Sequence, residues 1–211
     1  MNPCQAIDAL IFDYDGVIAN TEPIHFQLWA EILERRGVQL SWELYCRIGR
    51  GFPDVEMLEK LREATADPAA LADAAAEKNL HKPVIREMCT RQPPIAAATI
   101  EMLHSIRNYR TGLVTTSSAD DVLPVLRAAK IDSCFDAMVF GEDVEHHKPA
   151  PDPYLLIKNR LGITNGLVFE DSDAGILSAQ RAGLTVVPVI DPEQLATLLH
   201  RAIADFNQAP K

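Results

Sequence analysis

Ala6-Ile7-Asp8-Ala9-Leu10-Ile11-Phe12, followed at once by Asp13-Tyr14-Asp15-Gly16-Val17, is the stretch on which the reading of this chain turns. The first seven residues are short and almost wholly apolar. Runs of this kind, too brief for a helix, suit strands buried on both faces of a parallel sheet. Similar runs recur at Gly112-Leu113-Val114, Ala137-Met138-Val139-Phe140, Leu167-Val168-Phe169 and Thr185-Val186-Val187. Segments of helical period separate them. Val122, Val125, Leu126 and Ala129 form one stripe, and Ile176, Leu177 and Ala182, closed by Gly183, form another. The alternation predicts an α/β fold, a Rossmann-like open parallel sheet with helices on both faces.

One interval breaks the rhythm. Between the first run and the one at Leu113 lie far more residues than a single crossover needs, with no strand-like run among them. Ile24, Leu28, Trp29, Ile32 and Leu33 recur at helical spacing, with Asn20 or Thr21 as the cap and Gly37 as the stop. Ala69 to Lys78 is a strong helix former entered through Asp67-Pro68. Residues 16–91 are therefore expected to form an inserted α-helical subdomain, and residues 1–15 and 92–211 the α/β core. Gln92-Pro93-Pro94 marks the return. Pro124 is tolerable if its helix begins near Asp120 or Asp121.

Composition narrows the function. The 211 residues are 47% hydrophobic and 24% charged, ordinary globular proportions that suit one compact domain, or one with an inserted subdomain. A formal net charge of -10 argues against a nucleic-acid partner, which wants clustered Lys and Arg. Cys4, Cys46, Cys89 and Cys134 are scattered, with no zinc-ligand spacing, and read as reduced thiols in or near cores. No signal peptide and no apolar stretch of membrane-spanning length is visible, so the expectation is a cytoplasmic protein with no membrane partner.

Open parallel sheets carry their chemistry just beyond the carboxyl ends of the strands. At those places stand Asp13 and Asp15 after the first run, Thr115-Thr116-Ser117-Ser118 after the second, Lys148-Pro149 after the third, and Glu170-Asp171-Ser172-Asp173 after the fourth. Each has an ordinary structural use as cap, turn or loop residue. Four such clusters at the ends of four different strands make the ordinary uses a poor joint account. The hydroxyls and backbone N–H groups around Thr115, Thr116 and Ser117, before a helix, read as an anion site.

Together these stretches resemble the haloacid-dehalogenase superfamily of phosphotransferases, and the resemblance extends over nearly the whole chain. Within it, Asn20-Thr21-Glu22-Pro23-Ile24-His25 and the HKPAPDPY stretch are most similar to the β-phosphoglucomutase and sugar-phosphatase branch, with 16–91 as its helical cap. The resemblance implies Asp13 as nucleophile, Asp15 as general acid and base, and Thr115 and Lys148 as stabilisers of the transferring phosphoryl group. It implies Mg²⁺ held by Asp13, Asp171 and a backbone carbonyl at Asp15, with Glu170 a ligand or a neighbouring acid. Thr116, Ser117, His25, Arg50 and Lys78 are candidate substrate contacts. The arginine with which mutases of this branch grip a second phosphate falls in register on Phe52, which tilts the expectation from mutase toward phosphatase. The expected activity is Mg²⁺-dependent hydrolysis of a small phosphorylated metabolite, a sugar phosphate first, by a monomer or weak homodimer. The alternatives are a hexose-phosphate mutase and a non-catalytic phosphometabolite-binding protein.

Overall fold

The five apolar runs are five strands, β1 (Ala9–Asp13), β2 (Arg110–Val114), β3 (Ala137–Val139), β4 (Leu167–Glu170) and β5 (Thr185–Pro188), in a computed structural model that describes residues 7–50, 52–64 and 68–208. The sheet order is β3-β2-β1-β4-β5, and every pairing is parallel. Helices α1 (Glu22–Glu34), α2 (Trp42–Ile48), α3 (Asp54–Ala64) and α4 (Ala74–Arg91) follow β1. Helix α5 (Ala97–Ser105) leads into β2, α6 (Ala119–Ala128) joins β2 to β3, and α7 (Asp152–Leu161) joins β3 to β4. Helix α8 (Asp173–Arg181) joins β4 to β5, and α9 (Leu195–Gln208) ends the described chain.

The pleat of β1 decides which helices cover which face. Leu10 and Phe12 point into a cluster with Met102 and Leu103 of α5, Val122 and Leu126 of α6, and Leu195 and Leu199 of α9. Ala9 and Ile11 point the other way, onto Tyr154, Ile157 and Leu161 of α7 and Ala179 of α8. Phe12 stacks on Phe169 of β4, ring centroids 5.1 Å apart, tying the two strands that carry Asp13 and Glu170. A third cluster is built without the sheet, from Trp29, Ile32 and Leu33 of α1, Tyr45 and Ile48 of α2, Met57, Leu58 and Leu61 of α3, and Leu71 and Ala74. The segment after β1 thus buries its own apolar stripe against itself.

Three readings of the sequence need correction. The Ala69–Lys78 helix is not continuous. Pro68–Leu71 is a short 3₁₀ turn, Asp73 takes φ +60°, and the helix proper starts at Ala74; the proposed entrance residue Asp67 lies outside the described residues. Left-handed backbone at Asp73 overrides the alanine-rich propensity around it. On α8 the buried face is Ala174, Gly175, Ser178 and Ala179, while Leu177 is exposed, because the helix packs close to the strand ends where only small residues fit. Pro124 is the sixth residue of α6, deeper than expected, since the helix starts at Ala119.

Helix α1 stops at Glu34, short of Gly37, with Thr21 at its cap position. Cys46 is half-buried and Cys89 and Cys134 are buried, all as free thiols; Cys4 lies outside the described residues. Among the described residues no helix is long and apolar enough to cross a membrane.

Candidate active site

Strand register brings the sequence clusters together. Asp13 pairs with Val114 and Phe12 with Phe169, so the residues just past β1, β2 and β4 leave the sheet side by side at its carboxyl edge. The chain order reverses at β1, which has β2 on one side and β4 on the other, the switch point where open α/β sheets bind ligands. Gly16, at φ +76°, lets the backbone turn away beneath Asp171, because a Cβ there would run into Asp171 Oδ2. Gly175 does the same for Glu170 at the start of α8, where a Cβ would overlap the carboxylate.

The centre of the site is a buried charge network. Lys148 Nζ lies 2.6 Å from Asp13 Oδ1 and 2.5 Å from Glu170 Oε1, with lysine and glutamate 1% and 0% exposed. Glu170 Oε1 also accepts from the Tyr154 hydroxyl at 3.2 Å. Its Oε2 takes the N–H groups of Asp171 (2.8 Å) and Ser172 (3.0 Å) and the Ser172 hydroxyl (3.1 Å). Ser172 also caps α8 by accepting from the Gly175 N–H at 3.1 Å. The acidic cluster therefore serves the helix and the site at once. Burial alone would raise the Glu170 carboxyl, but Lys148 and the Ser172 donors outweigh it and hold it below the usual range.

Asp13, Glu170 and Asp171 each offer an oxygen, all within 4.8 Å of one another. Burial pushes the carboxyls of Asp13 and Asp171 well above their usual range; Lys148 relieves the first and Arg50 the second, while the neighbouring acids add to the rise. Glu22, buried with the Tyr45 hydroxyl at 2.7 Å, is another acid in the same neighbourhood, raised first by burial and also by Asp15. Asp13, Asp15, Glu22, Glu170 and Asp171 thus share two permanent cations, Lys148 and Arg50. The hydrogen bonds fall on Asp13 Oδ1 and Asp171 Oδ2, leaving the other oxygen of each without a partner among the described residues. Hard oxygen donors, excess negative charge and two open carboxylate oxygens fit a divalent cation such as Mg²⁺. Glu170 offers an oxygen to the same cluster, although both of its oxygens already accept hydrogen bonds.

Asp15 is held quite differently. Its Oδ1 accepts from the Thr21 hydroxyl at 2.5 Å and faces His25 Nε2 at 3.6 Å. Its Oδ2 accepts from Ser117 Oγ at 2.7 Å and Thr115 Oγ1 at 3.3 Å. Burial would raise its carboxyl, but His25, Thr21 and Ser117 together bring it to about 2. Thr21 spends its hydroxyl here instead of capping α1. Thr115 and Ser117 likewise face Asp15, and their N–H groups bond Val139 O and Thr115 Oγ1, so the anion site read from this stretch is smaller than expected.

A cavity of about 610 Å³ opens onto these groups. Thr116, Ser117, His25 and Lys78 line it. Lys78 is nevertheless spoken for, its Nζ 2.5 Å from Asp54 Oδ1 and 5.0 Å from the Trp29 ring centroid. Arg50 departs from the reading. Its guanidinium does not line the cavity but sits on Asp171 Oδ2, at 2.6 Å from Nε and 2.5 Å from the terminal nitrogen, because that buried carboxylate has no other cation. The Asp15 side chain stands apart from the metal-type cluster, leaving only its backbone carbonyl for the ligand role expected of it. Residues to which the sequence assigns no role are Glu22, Tyr154, Asn79, Lys82 and the pair Arg86–Asp121, joined at 2.6 Å. A periodicity signal existed for the cations: Lys78, Lys82 and Arg86 share one helix face.

Similarity to known proteins agrees with this geometry. The chain is 34% identical over 183 residues to the phosphorylated carbohydrates phosphatase of Thermotoga maritima, covering 84% of this chain and 82% of that one. It is 34% identical over 187 residues to the fructose-1-phosphate phosphatase of Escherichia coli, covering 85% and 95%. The crystal structure of CbbY from Rhodobacter sphaeroides in complex with phosphate superposes with a TM-score of 0.64 at 26% identity, covering 86% of each chain. Residues 10–189 match the haloacid dehalogenase-like hydrolase family, which spans β1 to the end of β5 and every residue of the site. The chain belongs to the haloacid dehalogenase-like hydrolases.

Proposed function

We propose that the protein is a Mg²⁺-dependent phosphatase of sugar phosphates that works through an aspartyl-phosphate on Asp13. The observation that carries this reading is Asp13 itself, buried at the end of the central strand, bonded through one oxygen to Lys148 and open at the other. The activities named for the relatives and the phosphate in the CbbY structure point to the same chemistry.

In the first step an oxygen of the Asp13 carboxylate attacks phosphorus, and the bond from phosphorus to the leaving oxygen breaks. Asp15 gives that oxygen its proton. In the second step water attacks the aspartyl-phosphate, Asp15 takes the water's proton, and the bond from phosphorus to Asp13 breaks. With its carboxyl near 2, Asp15 rests as the base, so the proton of the first step enters with the substrate's phosphate or through His25. Lys148 and the Thr115 hydroxyl stabilise the transferring group. Asp13 and Asp171, with the carbonyl of Asp15, would hold Mg²⁺, whose charge would offset the repulsion between a carboxylate nucleophile and an anionic substrate.

Residues 16–91 act as a cap over this centre. Their separate apolar cluster supports that division, as does the bond from Asn20 N–H to Pro94 O at 2.7 Å, which lays the two connections side by side as one hinge. Cap and core meet through Arg50–Asp171 and Arg86–Asp121. Both arginines are thereby engaged, and Phe52 lines the cavity, an arrangement that favours hydrolysis over a mutase, which must grip a second phosphate.

The test is inorganic phosphate release from a panel of sugar phosphates. Wild type is expected to release phosphate with Mg²⁺ and to lose the activity with a chelator. Binding of sugar phosphates without release would make the protein a phosphometabolite-binding member of the family, and conversion of a sugar 1-phosphate to its 6-phosphate would make it a mutase. Asp15→Ala is expected to slow release by about 10²–10⁴-fold, the usual worth of a positioned acid–base group. A smaller loss, under twofold at every pH, would remove Asp15 from the proton path.

A further inference from the structure

The face of α4 that lines the cavity carries Lys78, Asn79, Lys82 and Arg86. Asp54 neutralises Lys78 and Asp121 neutralises Arg86. Lys82, between them and half-buried, has no hydrogen-bond or ion-pair partner among the described residues. Its three donors are left for whatever fills the cavity. Across the same cavity His147 presents a buried Nδ1 that also lacks a partner.

Charge decides what that occupant is. Besides the acids around Asp13, the cavity is lined by the cations Lys78, Lys82 and Arg86 and by the carboxylates Asp54, Asp121 and Glu142. The two sets balance, so this lining offers no net charge to a second phosphate. It offers hydrogen-bond donors to neutral oxygens, and aromatic walls in Trp29 and Tyr45. A volume of about 610 Å³ is ample for a sugar of hexose size.

We infer that Lys82, assisted by Asn79, is the residue that selects the substrate, donating hydrogen bonds to the hydroxyls of a sugar that carries a single phosphate. This rests on the phosphatase reading and specifies the substrate class of the same site. Lys82 takes no part in the bonds around Asp13, so its loss weakens binding without altering the chemical step.

The experiment compares wild type, Lys82→Met and Lys82→Arg on a hexose monophosphate, the matching hexose bisphosphate and p-nitrophenyl phosphate, which has no sugar hydroxyls. Lys82→Met is expected to raise KM for the hexose monophosphate about 10-fold or more, the worth of a charged hydrogen bond. Its kcat, and kcat/KM on p-nitrophenyl phosphate, should stay within about twofold of wild type, and Lys82→Arg should recover part of the KM. An equal loss on both monoesters would make Lys82 structural, and no change on either would leave it no role; both overturn the inference. A lower KM for the bisphosphate than for the monophosphate in wild type would overturn the charge argument. Should wild type release no phosphate from any of the three, calorimetric binding of the hexose monophosphate to Asp13→Asn and to Asp13→Asn/Lys82→Met separates the two claims. A roughly 10-fold weaker Kd in the double variant would preserve the specificity role while the phosphatase reading falls, and equal Kd values would end both.

Discussion

Asp13→Asn is expected to release phosphate at least about 10⁴-fold more slowly than wild type, and to unfold at a higher temperature in the absence of Mg²⁺. Both effects come from one feature. The nucleophile is a carboxylate buried among carboxylates, and burial raises its carboxyl well above the usual range in spite of Lys148. An acid whose folded value lies above its unfolded one binds its proton more tightly in the native state. Stability therefore falls as pH climbs from about 4 toward the folded value, and the whole penalty is present beyond it. The amide removes that penalty while its oxygen still accepts from Lys148, so the fold is kept and the chemistry is lost. Phosphate release measured beside thermal unfolding checks the pair of effects. An Asp13→Asn protein that retains a tenth of wild-type activity would remove the covalent intermediate from the mechanism. One that is inactive but clearly less stable would mean the carboxylate at position 13 is satisfied in the resting protein.

The same electrostatic argument marks where the sequence could be read and where it could not. The strands were legible because each is a short apolar run that must be buried on both faces, and the acids that follow Phe12 and Phe169 stand where such strands leave the sheet. The hydrophobic pattern carries no record of which charge meets which. Lys148 and Asp13 are 135 positions apart, and Arg50 and Asp171 are 121 apart, so their pairing is set by packing. Propensity misled at Ala69–Lys78, where a single left-handed residue outranks an alanine-rich run. Apolar periodicity misled on α8, where closeness of approach selects small residues and turns Leu177 outward. The spacing of Lys78, Lys82 and Arg86 shows in the sequence, but not that Lys82 is the unpaired one. Nothing in its neighbours distinguishes it, and it stands out only once Asp54 and Asp121 are seen to claim the cations on either side.

Lys148→Met is expected to destabilise the protein by about 3–5 kcal/mol and to slow hydrolysis by about 10³-fold. The lysine is fully enclosed between Asp13 and Glu170, and methionine fills its stem without the charge. Two buried carboxylates would then face each other with Arg50, one residue away on Asp171, as the nearest permanent cation. For a chain of this size the loss corresponds to a fall of roughly 10 °C or more in Tm. The cost has a specific origin, which a second substitution isolates. Glu170 keeps its bonds to the Asp171 and Ser172 N–H groups whether or not it is charged, so Glu170→Gln removes the orphaned charge and leaves the start of α8 capped. In the wild-type background Glu170→Gln should be destabilising, because it leaves Lys148 with less than its full complement of charge. In the Lys148→Met background the same change should restore stability. Denaturant unfolding of the four proteins gives the coupling directly, and a sign reversal of the Glu170→Gln effect is the expected result. Additive losses would mean that Lys148 and Glu170 stabilise the fold independently. In that case the lysine's 2.5 Å contact with Glu170 would not be what fixes it beside Asp13, and its position over the nucleophile would have to come from Tyr154, whose ring centroid lies 5.4 Å from Nζ, and from the Val114 carbonyl at 3.5 Å.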